Sequence, residues 1–243
     1  MCSSDLKGEP EQLIVLAMGK LGAFELNLSS DIDLVFLYTD TGEIRQEDGR
    51  SLSHQEFFLR MARRLIACLD DAGAIGQVFR VDMRLRPYGD SGPLVIHRAA
   101  MEKYYIEQGR DWERYAFIKA RVIAGAMEKG RDFLEWMQPF VYRRHLDFST
   151  VQSLREMKTM ITRQVELREM TSDLKLGSGG IREGEFIAQA HQLIYGGRYP
   201  ELRESRLMPV LDRLNELGLL PDEDVKALQA AYRFLRNSEH AVQ

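Results

Sequence analysis

Two aspartates separated by a single residue are the side chains of this sequence best suited to bind a metal ion. They are Asp31 and Asp33, in Ser29-Ser30-Asp31-Ile32-Asp33 at the start of an apolar run. Residues i and i+2 of a strand project from the same face, so the two carboxylates repel each other unless a cation lies between them. Mg²⁺ prefers hard oxygen ligands and is usually shared between carboxylates and substrate phosphates. The pair therefore predicts a Mg²⁺ site for phosphoryl-transfer chemistry.

A second set of charged residues alternates along Val81-Asp82-Met83-Arg84-Leu85-Arg86-Pro87. If this segment is a strand, residues 82, 84 and 86 share one face. Should that face meet the aspartate pair, Asp82 becomes a third metal ligand, and Arg84 and Arg86 bind phosphate oxygens. A plain salt bridge on a solvated face explains the same pattern, and both interpretations stay open.

A turn containing two glycines precedes the aspartate pair. The segment Gly19-Lys20-Leu21-Gly22 follows an apolar run and opens a helix, where free backbone N–H groups and the helix dipole favour an anion. Taken alone, it is equally a tight connection, and the serines before Asp31 equally form a local turn. The combination of this turn with three aspartates favours a catalytic site. The predicted phosphate-binding residues are Gly19, Lys20, Gly22, Ser29, Ser30, Arg84 and Arg86.

The first part of the chain alternates strand and helix signals. Continuous apolar runs are typical of buried strands, and apolar residues three and four apart are typical of a helix. Strands are predicted over Leu13–Met18, Ile32–Tyr38 and Val78–Leu85. Helices are predicted over Lys20–Leu26 and Ser53–Asp71, with a loop over Thr39–Arg50.

Strand signals vanish from about His97 onward, and helical periodicity replaces them. The predicted helices are Ala99–Glu107, Trp112–Ala124, Met127–Gln138, Phe148–Glu169, Arg182–Ile194, Leu202–Leu217 and Asp222 to the end. The fold class is therefore α+β, in which a small mixed-sheet domain is followed by a mostly helical bundle. We expect a leader over 1–10 that is non-native or disordered, a catalytic core over 11–96 and a helical domain over 97–243. Both ends look cut, so we expect a fragment of a longer protein.

Composition restricts the classes of partner. The net charge is −4, with 33 basic and 37 acidic residues, so no global basic field indicates nucleic acid. The two cysteines form neither a disulfide framework nor a thiolate metal site, and no apolar run is long enough to cross a membrane. A cytoplasmic protein without nucleic-acid or membrane partners is expected.

The arrangement of glycine turn, Asp-x-Asp and later third carboxylate resembles the DNA polymerase β nucleotidyltransferase superfamily. More closely, the chain resembles the family of bifunctional glutamine synthetase adenylyltransferase/adenylyl-removing enzymes, from about Leu13 to the end. The segments that carry this resemblance are Met18–Gly22, Glu25–Leu34, Val81–Pro87, Ser91–Leu94, Gly109–Arg114, Lys119–Arg121 and Lys175–Glu183.

The resemblance implies a polymerase β-like domain that uses Mg²⁺ on Asp31, Asp33 and Asp82. Tyr104-Tyr105 and the later Gly-Gly-Ile-Arg-Glu are similar to the unit of that family that removes AMP from a tyrosine of glutamine synthetase by phosphorolysis, releasing ADP. Glutamine synthetase, AMP, ADP, ATP and inorganic phosphate are the implied ligands, with a PII signalling protein as regulator. The alternatives are the adenylyl-adding unit, which uses ATP, and a non-catalytic protein-binding module.

Other polar residues keep two interpretations. Arg110, Arg114, Lys119 and Arg121 either surround the nucleotide or lie on a solvated helix, and the roles of Arg182, Glu183 and Glu185 stay open. The glycines of 177–180 form either a second anion turn or a flexible joint. Two positions depart from the family pattern: Gly184 replaces an isoleucine, and Ala23-Phe24 replaces a small, often glycine-containing pair.

Overall fold

The computed structural model describes residues 3–4, 10–45, 50–71, 76–144, 148–167 and 173–242. Contacts divide the chain into two compact units, each with a hydrophobic core. The first unit covers Met1–Leu26, Ser30–Gly109 and Lys119–Gln138. The second unit covers Asn27–Ser29, Arg110–Ile118 and Pro139–Gln243.

The strands belong to the first unit. In chain order they are β1 (Ser3–Ser4), β2 (Pro10–Glu11), β3 (Ile14–Ala17), β4 (Ile32–Tyr38), β5 (Glu43–Arg45), β6 (Ser51–Ser53), β7 (Val81–Asp82), β8 (Val95–His97) and β9 (Arg121–Gly125). The main sheet has the order β7-β4-β3-β9, and β8 also pairs with β4. Strand β3 runs antiparallel to β4 and β9, whereas β7 and β8 run parallel to β4. Strand β7 therefore lies beside the start of β4, and β8 beside its end.

The helices follow in both units. In chain order they are α1 (Gly19–Gly22), α2 (His54–Asp70), α3 (Arg98–Glu107), α4 (Asp111–Phe117), α5 (Met127–Val141), α6 (Phe148–Leu167), α7 (Ile181–Tyr195), α8 (Leu207–Glu216) and α9 (Asp222–Ala241). Within the described ranges, no helix is both long and apolar enough to span a membrane.

The core of the first unit contains residues of β4 and α2. Phe36 and Tyr38 of β4 are buried in the same cluster as Phe58, and the rings of Tyr38 and Phe58 stack at 5.4 Å. Helix α2 begins with a capping box, in which the Glu56 N–H donates to the Ser53 hydroxyl and the Ser53 N–H donates to the Glu56 carboxylate. From Leu34 to Tyr38 the sequence of β4 is continuously apolar, as such a buried central strand requires.

The structure confirms the strand predicted over Ile32–Tyr38 and corrects two neighbouring predictions. The helix predicted over Trp112–Ala124 is wrong beyond Phe117, because Arg121–Gly125 forms β9 and pairs with β3. The loop predicted over Thr39–Arg50 contains β5, which forms a ladder with β6. Residues of this loop that follow β5, 46–49, lie outside the described residues.

Two predicted elements are shorter than expected. The strand predicted over Val78–Leu85 is limited to Val81–Asp82, because the chain turns from Arg84 onward. The helix predicted over Lys20–Leu26 is the single turn of α1. These short elements bring charged residues near the sheet edge through turns rather than through regular strand alternation.

The second unit is helical, and its core includes Leu211 and Leu214 of α8 together with residues of α7 and α9. The buried side chain of Gln192 donates to the carbonyl oxygens of Leu202, at 2.6 Å, and Glu204, at 2.7 Å. These bonds join α7 to the segment before α8. A mixed sheet with helices confirms the α+β fold class.

The division by contacts differs from the predicted limits of 11–96 and 97–243. Helix α3 packs against β8, and β9 completes the main sheet, so residues 97–109 and 119–138 belong to the first unit. Of the predicted leader over 1–10, residues 1–2 and 5–9 lie outside the described residues, and β1 pairs with β2.

Candidate active site

Two of the three predicted metal ligands are neighbours across a strand pair. Asp33 on β4 is aligned with Asp82 on β7 in a parallel ladder. Aligned residues of parallel strands project from the same face, and adjacent strands lie about 4.8 Å apart. The predicted meeting of the two aspartate-bearing segments is therefore present in the backbone register.

Gly19 packs directly against the Asp33 carboxylate. Its φ of +53° favours glycine, and a Cβ atom added there would overlap Asp33 Oδ2. The Met18 N–H also donates to the Asp33 carbonyl oxygen at 2.9 Å. The start of the predicted anion turn is thus held against the central strand at the position of the aspartate.

The other predicted residues of this turn are also in contact with their surroundings. Lys20 Nζ donates to Ser30 Oγ at 3.1 Å, which joins α1 to the segment that leads into Asp31. A Cβ atom at Gly22 would overlap the carbonyl oxygen of Lys119, so this glycine is required by packing. Ser29 is exposed, in the turn that precedes Asp31.

Asp31 precedes β4 and forms an ion pair with Arg80, whose Nε donates to Asp31 Oδ1. Arg80 was not among the predicted site residues. The sequence does contain a signal for Arg80, because Arg80, Asp82 and Arg84 alternate along the chain. The alternation of charged residues therefore begins two residues before Asp82.

Asp82 is held by Arg84. Arg84 Nε donates to Asp82 Oδ2 at 2.9 Å, and the Arg84 N–H donates to Oδ1 at 2.8 Å. The side chain of Asp82 is 13% exposed, whereas that of Arg84 is 70% exposed. The hydrogen bond from Arg84 lowers the pKa of Asp82, and the same bond raises the pKa of Arg84. The negative charges of Asp90 and Asp31 raise the pKa of Arg84 further. Asp82 is therefore a carboxylate at neutral pH, with an exposed guanidinium beside it.

Arg86 has a different environment from the one predicted. Because the strand ends at Asp82, Arg86 does not share a strand face with it. Its guanidinium donates to three carbonyl oxygens of its own loop, those of Met83, Asp90 and Gly92, at 2.7, 3.2 and 3.3 Å. With 11% of its side chain exposed, Arg86 stabilises the loop that follows Asp82.

The contacts of the three aspartates agree only in part with the predicted Mg²⁺ site. Three carboxylates offer the hard oxygen donors that Mg²⁺ prefers, and the alignment of Asp33 with Asp82 suits a shared ion. In the described part of the chain, however, no group of three His, Cys, Asp or Glu residues is close enough to hold a metal ion. Arg80 and Arg84 act as the counter-cations of Asp31 and Asp82 instead. The oxygen donors and the register of Asp33 with Asp82 suit Mg²⁺, whereas binding by Asp31 and Asp82 would require their carboxylates to leave Arg80 and Arg84.

The residues left open by the sequence divide into separate groups. Lys119 is buried and its Nζ lies 3.8 Å from the Glu25 carboxylate. Arg121 donates from Nε to the Gly22 carbonyl oxygen at 3.2 Å and from a terminal nitrogen to that of Leu21 at 2.8 Å. Both basic residues therefore support the segment around α1, and neither lies on a solvated helix.

Arg114 and the glycine turn before α7 belong to the second unit. The Arg114 guanidinium lies 5.1 Å from the ring centroid of Phe140. In the glycine turn, the Gly179 N–H donates to the Glu183 carboxylate, and the Ile181 N–H donates to the Leu174 carbonyl oxygen. These backbone donors are used within the turn, which favours the structural interpretation of the segment over an anion site.

Two protein families match different parts of the chain. Residues 2–136 match the family described as Glutamate-ammonia ligase adenylyltransferase. Residues 155–243 match the family described as GlnD PII-uridylyltransferase. The first match contains every residue placed in the candidate site above.

Curated relatives carry the name bifunctional glutamine synthetase adenylyltransferase/adenylyl-removing enzyme. Those of Pseudomonas aeruginosa and Hahella chejuensis are 56% and 55% identical to this chain over 236 residues. Each alignment covers 97% of this chain and 24% of the relative, so the chain spans about a quarter of the length of these relatives.

Proposed function

The chain belongs to the glutamate-ammonia ligase adenylyltransferase family, and from that premise we propose that it is a Mg²⁺-dependent nucleotidyltransferase. Its proposed reaction removes AMP from a tyrosine of adenylylated glutamine synthetase by phosphorolysis and releases ADP. The observation that carries this proposal is the alignment of Asp33 with Asp82, with Gly19 packed on the Asp33 carboxylate. The names of the relatives support glutamine synthetase as the protein substrate.

In this reaction an oxygen of inorganic phosphate attacks the phosphorus of the AMP group. The bond from that phosphorus to the tyrosyl oxygen breaks, and the tyrosyl oxygen takes up a proton. Mg²⁺ held by Asp31, Asp33 and Asp82 would neutralise charge on the transferred group and on the departing oxygen. No covalent enzyme intermediate is required, because positioning and charge stabilisation account for such transfers.

The arginines beside the carboxylates are assigned to the phosphate groups. Guanidinium groups match phosphate oxygens in geometry and charge. Arg84 and Arg80 have exposed side chains and already neutralise carboxylates of the site. If Asp31 and Asp82 held Mg²⁺, Arg80 and Arg84 would be available to bind the attacking phosphate and the AMP phosphate. Lys20, held by Ser30, adds a further positive charge at α1.

Removal rather than addition of AMP is proposed from the family resemblance of Tyr104-Tyr105 and Gly-Gly-Ile-Arg-Glu. Tyr104 and Tyr105 support the assignment to the AMP-removing unit through this resemblance alone. Because both are buried in α3, no direct role on the substrate is proposed for them. A PII signalling protein is proposed as a partner of the longer protein, and the similarity of residues 155–243 to a PII-uridylyltransferase family supports it. The proposed location is the cytoplasm.

The direction of the reaction is tested with adenylylated glutamine synthetase, inorganic phosphate, Mg²⁺ and the purified chain. We expect the parent chain to form ADP. Asp33→Asn should lose this activity, whereas Asp132→Asn, a variant of an exposed aspartate, should retain it. Pyrophosphate from ATP with unmodified glutamine synthetase would instead identify the adding reaction. Failure to form either product, with Mg²⁺-dependent nucleotide binding also absent by calorimetry, would leave only a protein-binding role.

A further inference from the structure

Phe24 is an exposed aromatic residue in an unusual backbone conformation. Its φ is +60°, in the left-handed region that a residue with a Cβ atom rarely adopts. In the described part of the structure, 65% of the residue is exposed to solvent. The expected small or glycine residue would adopt this backbone without strain and would expose no ring. A phenylalanine here therefore requires a reason beyond packing.

The guanidinium of Arg121 supports this ring from one side. Its central carbon lies 3.8 Å from the centroid of the Phe24 ring, which is the distance of a cation–π stack. The same guanidinium donates to the carbonyl oxygens of Leu21 and Gly22, so its plane is fixed by α1. One face of the ring is covered by Arg121, and the exposed fraction of the residue leaves the other face available.

The ring also lies close to the candidate site along the chain. Helix α1 begins at Gly19, which packs against the Asp33 carboxylate, and Phe24 follows shortly after its end at Gly22. The four residues of α1 extend about 6 Å along the helix axis. This helix length is comparable with the distance between the phosphate and the base within one nucleotide.

We propose that the open face of Phe24, supported by Arg121, stacks on the base of the nucleotide whose phosphate reacts beside Asp33 and Asp82. The inference rests on the proposed function and adds a residue that recognises the base. An aromatic ring that Arg121 holds in place on one face loses little conformational entropy when a purine stacks on the other face. Every base offers a π face for such stacking. A nucleobase is favoured over an apolar side chain of a partner protein, because Phe24 follows the proposed phosphate-binding turn and contacts a charged guanidinium.

Binding of AMP and of ribose 5-phosphate to the whole chain tests this assignment, because the second ligand keeps the sugar and the phosphate and has a hydroxyl in place of the base. Phe24→Gly removes the ring at a position where glycine is free of strain, so the variant is expected to fold. We expect it to bind AMP about 5- to 150-fold more weakly, the range that stacking on one aromatic ring provides. Its affinity for ribose 5-phosphate should stay within about twofold, and Phe24→Tyr should bind AMP like the parent chain, because it retains the ring.

Equal affinity of the parent chain and Phe24→Gly for AMP would overturn the base-stacking role and leave the proposed function intact. Weaker binding of glutamine synthetase by Phe24→Gly, with AMP affinity unchanged, would also overturn it in favour of a protein contact. A parent chain that binds neither AMP nor ribose 5-phosphate would contradict the proposed function itself, and the inference with it.

Discussion

The carboxylate of Asp33 lies against the backbone of Gly19, at the point where the central strand and the first helical turn meet. Asp33 is in turn aligned with Asp82 on the neighbouring parallel strand. The Asp33 carboxylate is therefore held on one side by the turn, and a second acidic residue is aligned with it on the adjacent strand, where the two negative charges would favour a cation. This arrangement suits an ion shared between both acids and a phosphate bound near the turn.

Gly19→Ala is expected to impair both stability and activity. Its Cβ atom would overlap Asp33 Oδ2, and the left-handed φ alone costs about 1–2 kcal/mol in a residue with a Cβ. Gly218→Ala is the matched control, because its φ is +67° and an added Cβ meets no atom of the described residues within 4 Å. Chemical denaturation and the phosphorolysis assay should show a larger loss of stability for Gly19→Ala, and a loss of activity for that variant alone. Equal losses in the two variants would contradict the contact with Asp33.

The central strand could be predicted from the sequence because its residue composition favours a buried strand over a helix or a loop. Apart from Asp33, the run Ile32–Tyr38 is apolar and rich in β-branched and aromatic residues, and the observed strand has the same bounds. Arg121–Gly125 has apolar residues that suit either period, and its pairing with β3 decides in favour of a strand. That pairing joins segments about a hundred residues apart, which local patterns do not report.

The same distinction applies to the site. The alternation of Asp82 with apolar neighbours predicted a polar face but left open whether that face meets Asp33, and the observed register aligns the two residues. The environment of Arg86 depends on a turn that begins just after Asp82, so strand alternation assigned it to the wrong surroundings. The metal-binding and phosphate-binding roles stay predictions.

Gly184→Ala should stabilise the protein. Gly184 lies inside α7, and an added Cβ would meet no described atom within 4 Å. Replacing a helical glycine with alanine then gains about 0.5–1 kcal/mol, because the unfolded chain loses freedom. Thermal unfolding should show an increase in Tm of about 1–4 °C.

The control for that increase is Gly180→Ala, at the N-cap of the same helix. There an added Cβ would lie 2.8 Å from the Gly177 carbonyl oxygen. We expect this variant to have a lower Tm than the parent chain. If both alanines raise or both lower the Tm, the packing described around α7 is incorrect.

Arg84→Gln and Arg86→Gln should separate a ligand contact from a structural one. Arg84 is exposed, so its loss should leave the Tm nearly unchanged and raise the KM for inorganic phosphate about tenfold or more, as expected for one charged hydrogen bond. Arg86→Gln should instead lower the free energy of unfolding by about 1–3 kcal/mol, because carbonyl oxygens of the loop lose their donors. Steady-state kinetics and chemical denaturation on both variants give the comparison. A higher phosphate KM for Arg86→Gln at unchanged stability would reverse the two roles.

Arg121→Gln should disturb α1 although Arg121 lies on β9, far from it in sequence. Its guanidinium bonds the carbonyl oxygens of Leu21 and Gly22, and their loss should lower the free energy of unfolding by about 1–3 kcal/mol. Arg121→Lys keeps the charge but lacks the planar fork that reaches both oxygens, so we expect an intermediate loss.

Arg131→Gln is the matched control for this prediction, because Arg131 forms an exposed ion pair with Glu128 within one helix. Such pairs contribute at most about 1 kcal/mol and often nothing measurable. Chemical denaturation of the three variants should therefore rank Arg121→Gln as the least stable, then Arg121→Lys, then Arg131→Gln. Because α1 carries Gly19 against Asp33, the two Arg121 variants should also have a lower kcat, whereas Arg131→Gln should keep the parent value. Equal stability of the two glutamine variants would mean that β9 does not hold this turn in place.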